Sequence, residues 1–80
     1  MKKSIQELQQ ELESLYDQLN EKTAKCKELN EKMVERIRYA YYGDIEEIGD
    51  ELVEITKQIR AISDRIDEIV DDVAEMAEKA

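Results

Sequence analysis

An unbroken heptad repeat in the second half of the chain constrains the fold more than any other feature of the sequence. From residue 45 onward, apolar residues recur at alternating spacings of three and four positions. They are Ile45, Ile48, Leu52, Ile55, Ile59, Ile62, Ile66, Ile69, Val73, Met76 and Ala80. A mean spacing of about 3.5 residues places them on one face of an α-helix that packs against another helix. This half of the chain is therefore predicted to be one long coiled-coil helix.

The first half follows the same repeat with two interruptions. Its apolar positions are Ile5, Leu8, Leu12, Leu15, Leu19, Cys26, Leu29, Met33 and Ala40. Lys22 and Arg36 occupy the two remaining positions of the repeat. If the chain folds back on itself, we expect Asp64 near Lys22 and Asp50 near Arg36, where an ion pair would fix the alignment of the helices. The alternative is that the stems of both basic side chains cover the core while their charges stay in water.

The repeat changes phase near Gly43, which predicts a turn. Continuing the spacing from Ala40 would place the next apolar position at Gly43 or Asp44, whereas the second repeat starts at Ile45. Glycine commonly ends helices in a left-handed conformation. Asp44 followed by Glu47 also has the form of an N-terminal capping box. A helix stop and a helix start are therefore predicted side by side.

These patterns predict an all-α fold, an antiparallel helical hairpin of the coiled-coil type. We expect a single domain at residues 1–80, with helix one at about 3–41, the turn at about 42–44 and helix two at about 45–79. The alternative is one unbroken helix, because a single glycine costs only about 1 kcal/mol inside a helix and a stutter in the repeat absorbs the phase change.

Helix two carries a wider apolar face than one neighbouring helix can cover. The residues that extend this face are small or apolar, namely Gly49, Thr56, Ser63, Val70 and Ala77. Such a width is typical of a helix that touches two neighbours, unless these residues simply fill the surface. A chain of 80 residues also buries little apolar surface by itself. We therefore expect the hairpin to self-associate, most economically as a homodimer that forms a four-helix bundle.

The expected core of this assembly consists of apolar residues from both repeats. They are Leu12, Leu15, Leu19, Leu29, Met33, Ile45, Ile48, Leu52, Ile55, Ile59, Ile62, Ile66, Ile69 and Val73. The partner implied by this core is a second copy of the chain, with another helical protein as a further option.

The net charge of −9 lies entirely in the second half of the chain. Residues 44–80 contain thirteen acidic and four basic residues, whereas the first half is balanced. This excess of negative charge argues against direct binding of nucleic acid, which requires the opposite sign. Asp64, Asp67 and Asp71 are candidates for contact with a basic protein. The alternative is that these acidic residues form a solvated outer face.

Three of the four tyrosines cluster at the predicted turn. Tyr39, Tyr41 and Tyr42 lie beside Arg36 and Arg38 in the sequence, and tyrosine and arginine are enriched at binding hot spots. These tyrosines are therefore candidates for binding a partner. The alternative is that their rings cap the end of the core.

The chemistry of the side chains argues against an enzyme. The chain contains one cysteine and no histidine, so we expect no cofactor, no resident metal and no catalytic cysteine paired with a histidine. Cys26, at a repeat position, is expected to be a small buried hydrophobe. No apolar stretch is long enough to span a membrane or to act as a leader, and we expect a cytoplasmic protein.

The sequence therefore favours a non-enzymatic protein–protein interaction or scaffolding module that acts through coiled-coil self-association. An alternative is a small acidic binding inhibitor or adaptor, of the kind that phages use as antagonists or nucleic-acid mimics. A further alternative is a designed helical bundle, because the repeat is regular and proline is absent.

Overall fold

Two long helices running in opposite directions make up the part of the chain that the structure describes. The computed structural model covers residues 3–79. Helix α1 spans Ile5–Arg38 and helix α2 spans Ile45–Lys79. The hairpin that they form measures 60 × 18 × 15 Å, whereas eighty residues in one unbroken helix would extend for about 120 Å. The predicted helical hairpin is confirmed.

Helix α1 begins with a capping box. The backbone N–H of Glu7 donates a hydrogen bond to the Ser4 hydroxyl at 3.1 Å, and the backbone N–H of Ser4 donates to the Glu7 carboxylate at 3.5 Å. These two bonds satisfy N–H groups that have no partner inside the first helical turn. The start of α1 is therefore encoded by a local Ser-x-x-Glu sequence.

A left-handed residue lies just beyond the last residue of α1. It is Ala40 rather than the predicted Gly43. Ala40 has a φ angle of 53°, whereas neither glycine has a positive φ. The N–H of Tyr41 donates to the carbonyl of Arg36 at 2.9 Å, and the N–H of Ala40 donates to the carbonyl of Ile37 at 3.2 Å. Together these two hydrogen bonds form a Schellman motif, which closes the last turn of a helix.

The turn occupies residues 39–44, because α1 ends at Arg38 and α2 begins at Ile45. The early end of α1 also corrects the predicted pairing of Arg36 with Asp50. The Nε of Arg36 instead donates to both carboxylate oxygens of Asp44, at 3.0 and 3.2 Å. The Asp44 carboxylate thus accepts hydrogen bonds from Arg36, not those of the capping box predicted for α2.

The core lies along the seam between the two helices. Six side chains in the described part of the chain are buried, all at positions of the heptad repeats: Leu8, Leu29, Ile48, Ile55, Ile66 and Ile69. Near the turn, Cys26, Met33, Leu52 and Ile59 pack against the cluster formed by Leu29, Ile48 and Ile55. The repeats in the sequence therefore predict which faces of the helices meet.

Lys22 does not lie beside Asp64 as predicted. It lines a cavity between the helices together with Ile55 and Gln58, which are six or more residues closer to the turn than Asp64 is. The side chain of Lys22 is half-buried, and the ion pairs found in residues 3–79 do not include it. This position matches the alternative in which the stem of the lysine covers the core.

Candidate functional site

The candidate functional site is the apolar surface that the hairpin leaves uncovered. Each helix is covered by the other on one side only, so most of the predicted core residues keep part of their surface in water. The buried ones are Leu29, Ile48, Ile55, Ile66 and Ile69. The half-buried ones are Leu12, Leu15, Leu19, Met33, Ile45, Leu52, Ile59, Ile62 and Val73. The core of the single hairpin is therefore incomplete.

Large apolar and aromatic side chains outside the seam are also exposed, as is Ile5 at the first position of the seam. Those with 47% to 71% of their surface in water are Ile5, Tyr16, Val34, Ile37, Tyr39, Tyr41, Tyr42, Val53 and Val70. Single exposed hydrophobic residues are common on proteins, whereas groups of them mark surfaces that bind other molecules. The hairpin thus presents more apolar surface than its own two helices can hide.

An open groove of about 760 Å³ runs along α1 on one side of the seam. Thr23, Asn30 and Val34 of α1 line it, together with Cys26 and with Ile59 of α2. The Asn30 amide donates a weak hydrogen bond to the half-buried Cys26 sulfur at 3.8 Å. Four charged side chains, Lys27, Glu31, Glu35 and Arg38, also line the groove. Its apolar part, formed by Cys26, Val34 and Ile59, suits an apolar side chain.

The three tyrosines at the turn keep most of their surface in water. Tyr39, Tyr41 and Tyr42 are 71%, 60% and 63% exposed. The guanidinium carbon of Arg36 lies 5.6 Å from the centre of the Tyr41 ring, within the range of a cation–π contact. One tyrosine is therefore held in place by Arg36, and all three can be reached by a partner.

The three aspartates selected from the sequence lie along the outer surface of α2. Asp64, Asp67 and Asp71 are exposed, and the ion pairs within residues 3–79 do not include them. Within the same residues, no three acidic or cysteine side chains come together as metal ligands would.

The strongest ion pair between the helices was not predicted from the sequence. The Nε and Nη2 of Arg65 donate to the two carboxylate oxygens of Glu11, at 2.6 and 2.9 Å, and Lys3 contacts the same carboxylate. These hydrogen bonds, that from Arg65 above all, lower the pKa of Glu11 to about 2. The hydrogen bonds that Arg65 donates to the carboxylates of Glu11 and Glu68 raise the pKa of Arg65.

A signal for this pair is nevertheless present in the sequence. Glu11 and Arg65 each precede by one residue an apolar position of the repeat, Leu12 and Ile66. Such flanking positions meet across the seam of a coiled coil and commonly carry opposite charges.

Within residues 3–79, neither helix contains a stretch that is long and apolar enough to cross a bilayer. Cys26, at 3.8 Å from an amide donor, has no acid or base among the hydrogen-bond partners that the structure describes for it. The assignment of function therefore rests on the apolar surface that the hairpin leaves uncovered. Comparisons with protein-family models, with curated proteins and with solved structures found no match to this chain.

Proposed function

We propose that this chain is a non-enzymatic protein–protein interaction module that self-associates, with two hairpins forming a four-helix bundle that serves as a scaffold. The observation that carries the proposal is the incomplete core of the single hairpin. Ile59 and Ile62 illustrate it, because both occupy the middle of the helix-two repeat and both are only half-buried. A second hairpin would complete their burial.

The energies involved are sufficient for association. Full burial of a leucine or isoleucine side chain contributes roughly 1.5–3 kcal/mol, so completing the burial of a half-buried one contributes on the order of 1 kcal/mol. Each hairpin has nine half-buried side chains of the predicted core, which gives a dimer on the order of 10–20 kcal/mol. Association costs about 4–15 kcal/mol in lost freedom of motion. At the middle of both ranges, the gain exceeds the cost.

Light scattering coupled to size-exclusion chromatography tests the proposal. A dimer has twice the chain mass of 9.4 kDa, and its melting temperature rises with protein concentration by mass action. In the bundle, Ile59→Ala or Ile62→Ala should each cost roughly 2–5 kcal/mol, as for a fully buried residue. A wild-type mass of 9.4 kDa from micromolar to millimolar concentration would refute self-association.

A second candidate function is that of an acidic inhibitor or adaptor that binds a basic protein. The observation that favours it is the exposure of Asp64, Asp67 and Asp71 on α2 in a chain of net charge −9. Binding through these carboxylates would weaken as salt is raised from about 0.1 M to about 1 M, because the screening length falls from about 10 Å to about 3 Å. Self-association through isoleucines would persist at both concentrations, so a salt titration separates the two functions.

A further inference from the structure

The two sides of the seam differ in their charge. One side, here called the uncharged flank, is formed by the residues that directly follow Leu8 and every seventh position after it in α1, and Ile48 and every seventh position after it in α2. Its members are Gln9, Tyr16, Thr23, Asn30 and Ile37 in α1, and Gly49, Thr56, Ser63, Val70 and Ala77 in α2. The other side, the charged flank, is formed by the residues that directly precede Ile5 and every seventh position after it, and Ile45 and every seventh position after it. Its members are Ser4, Glu11, Gln18, Lys25, Lys32 and Tyr39 in or next to α1, and Asp44, Glu51, Gln58, Arg65, Asp72 and Lys79 in or next to α2.

Contacts between the helices join the charged-flank residues of both helices on one side of the hairpin. The Glu11–Arg65 ion pair joins the two helices across the charged flank. Lys25 and Gln58, one from each helix, line a cavity on the same side. Thr23 and Asn30 of the uncharged flank line the larger groove, whose lining also includes two acidic and two basic side chains, Lys27, Glu31, Glu35 and Arg38.

We infer that the uncharged flank is the surface on which a second copy of this chain docks, an inference that rests on the proposed self-association. None of the ten residues of this flank is charged, whereas eight of the twelve on the charged flank are. Two copies that each carry a net charge of −9 repel each other, and burying a charge without a partner is costly. The uncharged flank lets two copies approach without bringing flank charges together.

The exposed apolar residues lie on this same side. Tyr16, Ile37 and Val70 belong to the uncharged flank and are 47%, 57% and 50% exposed. Val34 and Val53, also more than half exposed, each precede a flank position by three residues, which places them on the same side of their helices. These five are the exposed large apolar side chains of the helices, apart from the first residue of α1.

The size and shape of this side also suit a second hairpin. A face of 60 by 18 Å has a projected area of roughly 1,000 Å², and each partner of a stable complex buries about 800 Å². The groove beside Thr23 and Asn30, about 760 Å³ in volume, offers space for apolar side chains of the second copy. The flank itself has no carboxylate that could pair with a basic partner. The charged residues three positions before flank members are mixed in sign, namely Glu13, Lys27, Glu46, Arg60 and Asp67. This mixture favours a second copy over a basic protein as the occupant.

A pair of matched substitutions tests the inference. Thr56→Glu adds one negative charge to the uncharged flank, and Gln58→Glu adds the same charge two residues away on the charged flank. We expect Thr56→Glu to weaken dimerisation at least about 100-fold, because each interface then buries unpaired carboxylates. Gln58→Glu should change it less than about threefold, because its half-buried side chain lines a cavity together with Lys22 and Lys25, which can pair with the new carboxylate on the flank that faces away from the second copy. Sedimentation equilibrium measures both dissociation constants, and circular dichroism verifies that both variants remain helical.

Thiol labelling provides an independent measurement in a Cys26→Ser background. Thr56→Cys should react slowly with a maleimide when the protein is dimeric and faster on dilution. The rate for Gln58→Cys, a half-buried position on the charged flank, should not change with concentration. If the wild type is dimeric but Gln58→Glu dissociates it and Thr56→Glu does not, the docking surface is assigned to the wrong side while self-association stands. If the wild type is monomeric throughout, self-association itself fails.

Discussion

The end of helix α1 provides the sharpest test of the structure, because the sequence and the structure predict opposite results there. Ala40 adopts a φ of 53°, a left-handed conformation that costs a non-glycine residue roughly 1–2 kcal/mol. Ala40→Gly removes this cost but gives the unfolded chain more freedom, worth about 0.4–1 kcal/mol. The expected net result is a stabilisation of about 0.5–1 kcal/mol per chain.

Gly43→Ala is the matched reverse substitution. Gly43 does not have a positive φ, and a Cβ atom placed on it would lie 3.6 Å from the nearest atoms of the Tyr41 ring, an ordinary contact distance. We therefore expect Gly43→Ala to be neutral or to stabilise by up to about 1 kcal/mol, since it restricts the unfolded chain. The sequence alone places Ala40 inside the helix and Gly43 at its left-handed end. It therefore predicts that both substitutions destabilise the protein, Ala40→Gly by about 1 kcal/mol.

Chemical denaturation followed by circular dichroism, at one fixed protein concentration, measures both changes. A change of 1 kcal/mol moves the melting temperature by about 4–8 °C in a domain of this size, so thermal unfolding resolves the expected effects as well. Destabilisation by Ala40→Gly together with a loss above about 1 kcal/mol in Gly43→Ala would show that the helix ends at the glycine, and would refute the Schellman motif at Ala40.

Two further predictions concern the core and the ion pair between the helices. Ile69 is 0% exposed, whereas Ile5 is 56% exposed. In urea denaturation, Ile69→Ala should therefore lower the free energy of unfolding by roughly 2–5 kcal/mol, and Ile5→Ala by less than about 1 kcal/mol. Equal losses would contradict the assignment of the core. The wild type should be more stable than Glu11→Gln at pH 7, because the lowered pKa of Glu11 favours folding while its carboxylate is ionised. Because the pKa falls from 4.5 in the unfolded chain to about 2 in the folded one, this difference should shrink below about pH 4.5 and vanish near pH 2; a difference that is constant with pH would rule out the ion pair with Arg65.

The sequence was sufficient to predict the hairpin and the faces along which the helices meet, because apolar residues that recur every three or four positions lie on one face of a helix. It also located the start of α2 at Ile45, since there the phase of the repeat changes. The capping box at Ser4 and Glu7 could have been found in the same way, because its signal is local.

The details of the turn could not be predicted from residue preferences. Glycine is the usual left-handed residue at a helix end, yet the left-handed residue here is Ala40, a position that residue preferences alone do not indicate. The pairing of Arg36 with Asp44 instead of Asp50 follows from the same shift. A difference of three residues in the end of α1 changes which carboxylate the arginine can reach.

The antiparallel arrangement of the arms also has a consequence for the order in which the hairpin forms. Arg36 and Asp44 are eight residues apart in the chain, whereas Glu11 and Arg65 are separated by 54. Closing a longer loop costs more entropy, so we expect the arms to zip together from the turn towards the open end. Substitutions near the turn should then slow folding, while substitutions near the Glu11–Arg65 pair should mainly accelerate unfolding.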